Sequence, residues 1–152
     1  MLKKYKFLIL ATAGVVMIDY ATTKNIEIYT AIMAGSLRYN LKPELIHAVI
    51  KAESGFSFNA VSPAGAQGLM QLMPETGMQM GLRDPFSPWQ NIQAGCKYLA
   101  WVRDYLETTE IELILAGYNA GVGNVKKYGG VPPFPETVAY IEKVKRFING
   151  HS

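Results

Sequence analysis

The chain is poor in the residues on which most metal and nucleophile chemistry depends. It holds a single cysteine, Cys96, and two histidines, His47 and His151. One cysteine excludes an intrachain disulfide, which a folded domain of 152 residues does not need. So few soft ligands argue against a zinc site, and a Ser-His-Asp triad would have to be built on His47 or on a terminal histidine. Charge of one sign is also scarce. The net charge is +3, but three of the 15 basic residues, Lys3, Lys4 and Lys6, stand at the N-terminus, where Asp19 is the one acidic residue before position 21. The remainder is nearly neutral and lacks the concentrated basic face of a nucleic-acid binder. No metal, cofactor or nucleic-acid partner is expected, and any chemistry should run on carboxylates.

What is present is a large apolar fraction, 49% against 18% charged, in keeping with one folded domain. The N-terminal lysines precede an apolar run, Phe7–Ile18, which ends at Asp19. That length suits the apolar segment of a secretory leader and is short for a spanning helix. Ala11-Thr12-Ala13 is a poor cleavage site inside the run, and Asp19 is badly placed for cleavage after Ala21. Residues 1–22 are therefore read as a signal peptide or N-terminal anchor and 23–152 as the working domain; the alternative is a buried first helix.

Beyond residue 22 the periodicity predicts an all-α domain with little or no β-structure. Helices are expected over Asn25–Tyr39, with Ile26, Tyr29, Ile32, Met33 and Leu37 as apolar positions at mixed helical spacing, from Pro43 to a stop at Gly55, and from Pro74 to near Gly81. A long helix follows, carrying the stripe Ile92, Cys96, Leu99, Val102 and Leu106, and further helices are expected over Glu110–Asn119, its end loosened by Gly121 and Gly123, and over Glu136–Ile148. Cys96 lies on a core stripe and is read as a packing residue. Phe56–Gln67, broken by Ser62-Pro63-Ala64-Gly65, is an irregular stretch of the kind that carries function. Trp89 and Trp101 could stack on sugars, but Trp101 is assigned to the core or an interface; His47 goes to an ordinary half-buried site, and Lys126, Lys127, Lys143, Lys145 and Arg146 to a solvated face rather than to anionic wall polymers.

Glu53 is the leading chemical candidate. It falls in the last turn of an apolar helix, where the dipole and partial burial both hold a carboxyl proton more tightly, as a general acid requires. A solvated glutamate at a frayed helix end is the competing reading. Gly68–Pro74, with its methionines and Gln71, and Ala116–Gly121, with Tyr118 and Asn119 among small residues, read equally well as a sugar groove or as tight helix packing.

Taken in order, Glu53-Ser54-Gly55-Phe56, Ser62-Pro63-Ala64-Gly65-Ala66, Gly68-Leu69-Met70-Gln71, Tyr118-Asn119-Ala120-Gly121, and Glu136-Thr137 followed by Tyr140 resemble the catalytic domain of the soluble lytic transglycosylase family over about Leu41–Ile148. The resemblance implies a lysozyme-like domain that cuts the β-1,4 bond between N-acetylmuramic acid and N-acetylglucosamine in peptidoglycan without water, leaving a 1,6-anhydro end. It implies Glu53 as acid and then base, with Ser54 and Ser62 beside it. Gln71 and Met73 would line the groove, Tyr118 and Asn119 flank the cleavage point, Tyr140 bond near Glu53 and Glu136 support the site. The family more often has Ala at Gly117, a change expected only to add flexibility. Glycan strands are the expected partner, in the periplasm, with a monomeric enzyme and an envelope-spanning secretion or pilus apparatus as a further partner. A hydrolytic muramidase, with Asp84 or Asp104 as second carboxylate, and a non-catalytic wall-binding scaffold are the alternatives.

Overall fold

A computed structural model describes residues 6–11 and 14–150, with side-chain environments from residue 24 onward. Lys3, Lys4 and His151 lie outside the described residues, as do parts of the leader. Among the described residues, seven helices make up the body: α1 (Tyr20–Tyr39), α2 (Pro43–Ser54), α3 (Pro74–Gln79), α4 (Pro88–Tyr105), α5 (Ile111–Ala120), α6 (Val122–Tyr128) and α7 (Pro135–Ile148). Before them, β1 (Lys6–Ala11) and β2 (Gly14–Asp19) pair antiparallel, from Lys6 opposite Asp19 to Ala11 opposite Gly14. Four of the twelve paired residues are Ile or Val, side chains that favour extended backbone.

The helices start and stop where local chemistry dictates. Prolines occupy first-turn positions of α2, α3, α4 and α7, where a missing N–H costs nothing. The Ser87 hydroxyl accepts from the Gln90 N–H and caps α4. Gly55, at φ +57°, ends α2 in the left-handed conformation and donates its N–H to the Lys51 carbonyl. The predicted helices are all found, α1 starting five residues earlier than expected. The seventh, α6, is additional. The glycines at 121 and 123, read as a loosening of α5, instead mark a sharp turn at Gly121 and a new helix that starts at Val122.

The core centres on α4, whose Ile92, Cys96, Leu99 and Val102 are wholly buried as the stripe predicts. Burying each large aliphatic side chain contributes roughly 1.5–3 kcal/mol. α1 crosses α4 closely: a Cβ on Gly35 would stand 2.6 Å from Cys96 Sγ. Burial pushes the Cys96 thiol up to about 12, so it is a packing group. Arg103 on α4 donates to the Tyr39 and Asn40 carbonyls, both at 3.0 Å, and so satisfies the open end of α1.

Two readings of packing change. α1 turns Ile28, Ala31 and Ile32 inward, whereas Ile26, Tyr29, Met33 and Leu37, taken with Ile32 as apolar positions, face out; Leu37 is 82% exposed. A helix with apolar residues on two sides gives no sequence signal for which side is buried. Gly117 does more than add flexibility. A Cβ there would come within 2.6 Å of Val102 Cγ1 and 3.2 Å of Leu106 Cδ1. α5 lies against α4 at van der Waals distance at this point, and a stiff, buried valine has no room to withdraw.

Candidate active site

A groove of about 470 Å³ opens where the end of α2, the loop before α3, the end of α5 and the start of α7 converge. Its lining includes Glu53, Ser62, Gln71, Met73, Tyr118, Asn119 and Glu136. Seven residues singled out from five separate sequence segments thus share one concave surface.

Glu53 sits half-buried in the last turn of α2. Its carboxyl is raised from the ordinary 4.5 to about 7, first because burial penalises the charge. The Tyr140 phenol and the Lys143 ammonium act the other way and favour the carboxylate; the Glu136 charge raises the value further. Tyr140 is buried, and its hydroxyl makes no hydrogen bond of good geometry to any described group. The phenol is therefore electrostatically coupled to Glu53 without a fully formed bond. Lys143, assigned from sequence to a solvated face, donates to the Ala52 carbonyl at 2.7 Å and ties α7 to the C-terminal end of α2, one residue from the carboxyl.

The opposite wall is held by a buried polar network. Asn91, on α4 and wholly buried, accepts from the Met70 N–H at 2.7 Å and donates to the Gln67 and Pro85 carbonyls, each at 3.0 Å. Gly68, at φ +78°, allows this: a Cβ there would overlap both the Pro85 carbonyl and the Asn91 amide. The Tyr118 hydroxyl donates to the Met70 carbonyl at 2.6 Å, which fixes α5 against the same loop. Gln71 takes a left-handed φ of +48°, and its amide donates to the Ala60 and Gly68 carbonyls at 3.2 and 3.0 Å. Such a conformation costs about 1–3 kcal/mol, is typical of functional segments and is held here by the surrounding bonds.

The remaining candidates take distinct places. Ser62 accepts from the Ala66 N–H at 3.0 Å and closes the Ser62–Ala66 turn at the groove edge. Asn119 accepts from buried Thr137 at 2.8 Å, leaving its amide nitrogen for a ligand. Met73 is exposed on the rim. Ser54 is not in the lining: its hydroxyl reaches the Leu69 carbonyl at 2.7 Å and holds the loop to α2. Nor is Tyr140, which lies behind Glu53. Asp84, which accepts from the Phe86 N–H, and exposed Asp104, paired with Arg103 at 2.8 Å, are both outside the groove. Among the described residues no cluster of His, Cys, Asp or Glu is arranged to hold a metal ion.

Sequence reasoning missed Tyr98, Thr76, Asn91 and Lys143. Tyr98 lines the groove and meets Tyr118 at 5.1 Å between ring centroids. It could have been found as an aromatic beside the α4 core stripe. Asn91 carried a signal too, a polar residue next to Ile92 at the start of an apolar face.

Fold and groove together define a small helical, lysozyme-like domain whose groove sets the half-buried Glu53 carboxyl among amide and aromatic groups. The chain belongs to the family described as Transglycosylase SLT domain, which matches residues 30–140. It is 34% identical to a transglycosylase of Enterobacteria phage PRD1 over 80% of this chain and 43% of that one. To membrane-bound lytic murein transglycosylase C of Actinobacillus pleuropneumoniae it is 39% identical, over 59% of this chain and 29% of the relative. It therefore spans less than half the length of these relatives. An inactive glutamate-to-glutamine mutant of the lytic transglycosylase Slt from Pseudomonas aeruginosa superposes with a TM-score of 0.74 at 26% identity, over 86% of this chain and 24% of that one. The 70 kDa soluble lytic transglycosylase of Escherichia coli gives 0.71 at 26% identity, over 78% and 23%.

Proposed function

We propose that this chain is a lytic transglycosylase that cleaves the β-1,4 bond between N-acetylmuramic acid and N-acetylglucosamine in peptidoglycan, with Glu53 as its one acid and base. The observation that carries the reading is the Glu53 carboxyl set in a groove lined by Gln71, Tyr118, Asn119 and Glu136, where burial holds its proton more tightly than usual. The inactivity of the Pseudomonas aeruginosa glutamate-to-glutamine mutant fits a mechanism with one essential glutamate.

The opposing influences on Glu53 suit both halves of that reaction. Burial and the Glu136 charge keep the proton on Glu53 until it is given to the glycosidic oxygen, whose bond to the anomeric carbon then breaks. Positive charge on that carbon is taken up by the substrate's own acetamido oxygen. Tyr140 and Lys143 stabilise the carboxylate now left behind. It next removes the proton of the muramic acid O6 hydroxyl, and O6 closes on the anomeric carbon. One proton leaves Glu53 and one returns; no water enters. A second carboxylate opposite the acid, which hydrolytic glycosidases use, is not required.

Digestion of purified murein checks the reading by mass spectrometry. Anhydro-ended fragments, lighter by one water per cut than hydrolytic products, are expected. Reducing ends would replace it with a hydrolytic muramidase, for which Glu136, the other carboxylate in the groove, would be the partner of Glu53.

For the setting, the reading is a monomer acting in the periplasm on glycan strands, exported by residues 1–22 as a signal peptide or retained by them as an anchor. It would act there alone or for an envelope-spanning secretion or pilus apparatus. Cell fractionation should recover the expressed chain in the periplasmic or membrane fraction; a purely cytosolic chain ends the leader reading.

A further inference from the structure

We propose that a row of aromatic rings on α4, Tyr98, Trp101 and Tyr105, is a saccharide-binding track that carries the glycan strand past the end of the cleavage groove. This rests on the wall-cleaving reading above and adds a second contact surface to it.

The three residues, three and four positions apart, fall on one face of α4. Tyr98 belongs to the groove lining, where it meets Tyr118 at 5.1 Å. Trp101 follows at 5.8 Å with its plane within 13° of Tyr98, and Tyr105 follows Trp101 at 5.1 Å and 25°. The row leaves the cavity and continues into solvent, where Trp101 is 41% and Tyr105 45% exposed. Its far end is flanked by α6: Lys126 Nζ stands 4.2 Å from the Tyr105 ring centroid. α6 begins directly after Ala120 and Gly121, which line the groove, so track and groove share one boundary.

Large exposed aromatics in an ordered row need an occupant, since single scattered ones are normal and contiguous ones mark binding surfaces. A second protein would be favoured by a dry apolar patch. This patch is apolar along the rings yet polar at their edges: no described group hydrogen-bonds the Tyr98 or Tyr105 hydroxyl or the Trp101 indole N–H. A pyranose ring has the matching surface, C–H groups for the parts of the offset-stacked rings left exposed and hydroxyl and acetamido oxygens for the free donors. Lys126 adds a positive charge where a strand bearing carboxylate-rich peptide stems would continue.

The test compares substrates. A W101A/Y105A double variant is expected to lose about tenfold in kcat/KM on intact sacculi, through KM, the size expected for two lost aromatic contacts. It should cut a short murein tetrasaccharide as the parent does, and Trp101→Phe should restore most of the loss. Equal rates on both substrates, or equal losses on both, overturn the track. Co-sedimentation with sacculi is measured in parallel, in the parent chain and the double variant. If the parent cuts neither substrate but its sedimentation depends on Trp101 and Tyr105, the cleavage reading fails and the track stands. If the parent cuts both and sedimentation is unchanged in the variant, the track fails alone.

Discussion

Glu53→Gln is expected to lower murein cleavage by about 10³–10⁴-fold, at the upper end for a general acid–base group, because one residue serves both proton transfers. Glutamine keeps the shape and loses the proton, so co-sedimentation with sacculi should persist. In the parent chain kcat/KM should fall as pH rises through about 7, where Glu53 surrenders its proton. A variant that still cuts at a tenth of the parental rate or better would remove Glu53 from the mechanism.

The same substitution should change stability in the opposite direction. The folded-state value of about 7 lies above the ordinary 4.5, so the protonated form contributes fully below pH 4.5. That contribution is lost as pH rises from 4.5 through 7, and by pH 8–9 the buried charge costs on the order of 3 kcal/mol. Glu53→Gln removes the charge. Its thermal midpoint should exceed the parent's by several degrees at pH 8.5 and nearly coincide with it at pH 4.5. Greater activity in the charged form, or a midpoint gain at low pH only, would contradict the buried-acid account.

Asn91→Leu is the second large effect expected. The leucine is close in size but leaves the Met70 N–H and the Pro85 carbonyl without a partner in the interior, and the Gln67 carbonyl with the Leu72 N–H alone. Each unsatisfied group costs about 1–3 kcal/mol, so a total near 4 kcal/mol is expected, out of a typical domain stability of 5–15 kcal/mol. The thermal midpoint should fall by about 8–16 °C. Activity should fall further than the folded fraction alone accounts for, because the freed loop carries Gln71 and the carbonyl that anchors Tyr118. A midpoint shift under about 2 °C would show that the network is replaceable.

Much of this was legible in the residue order. Prolines at helix starts, Gly55 at a helix end and the Ile92–Leu106 stripe are local signals, because capping and periodicity depend on neighbours three or four positions away. The acidity of Glu53 was also partly local, since a helix C-terminus and an apolar face act over one turn. The extent of its burial, the counterpull of Tyr140 and Lys143 and the push from Glu136 required α7 to be laid against α2. The long-range contacts were invisible for the same reason. Asn91 reaches a loop 21 positions back to hold Met70, and Tyr118 reaches the same residue across 48.

Residue order, then, determined the helices, the family resemblance and the choice of Glu53 as candidate acid, because each is written in short-range pattern and motif. Tertiary structure decided which face of α1 is buried, that Ser54 serves the loop while Tyr98 serves the groove, and that Gly117 marks a close helix contact. Those outcomes depend on which surfaces meet, and a helix with apolar residues on more than one side does not specify its neighbour until the whole core closes.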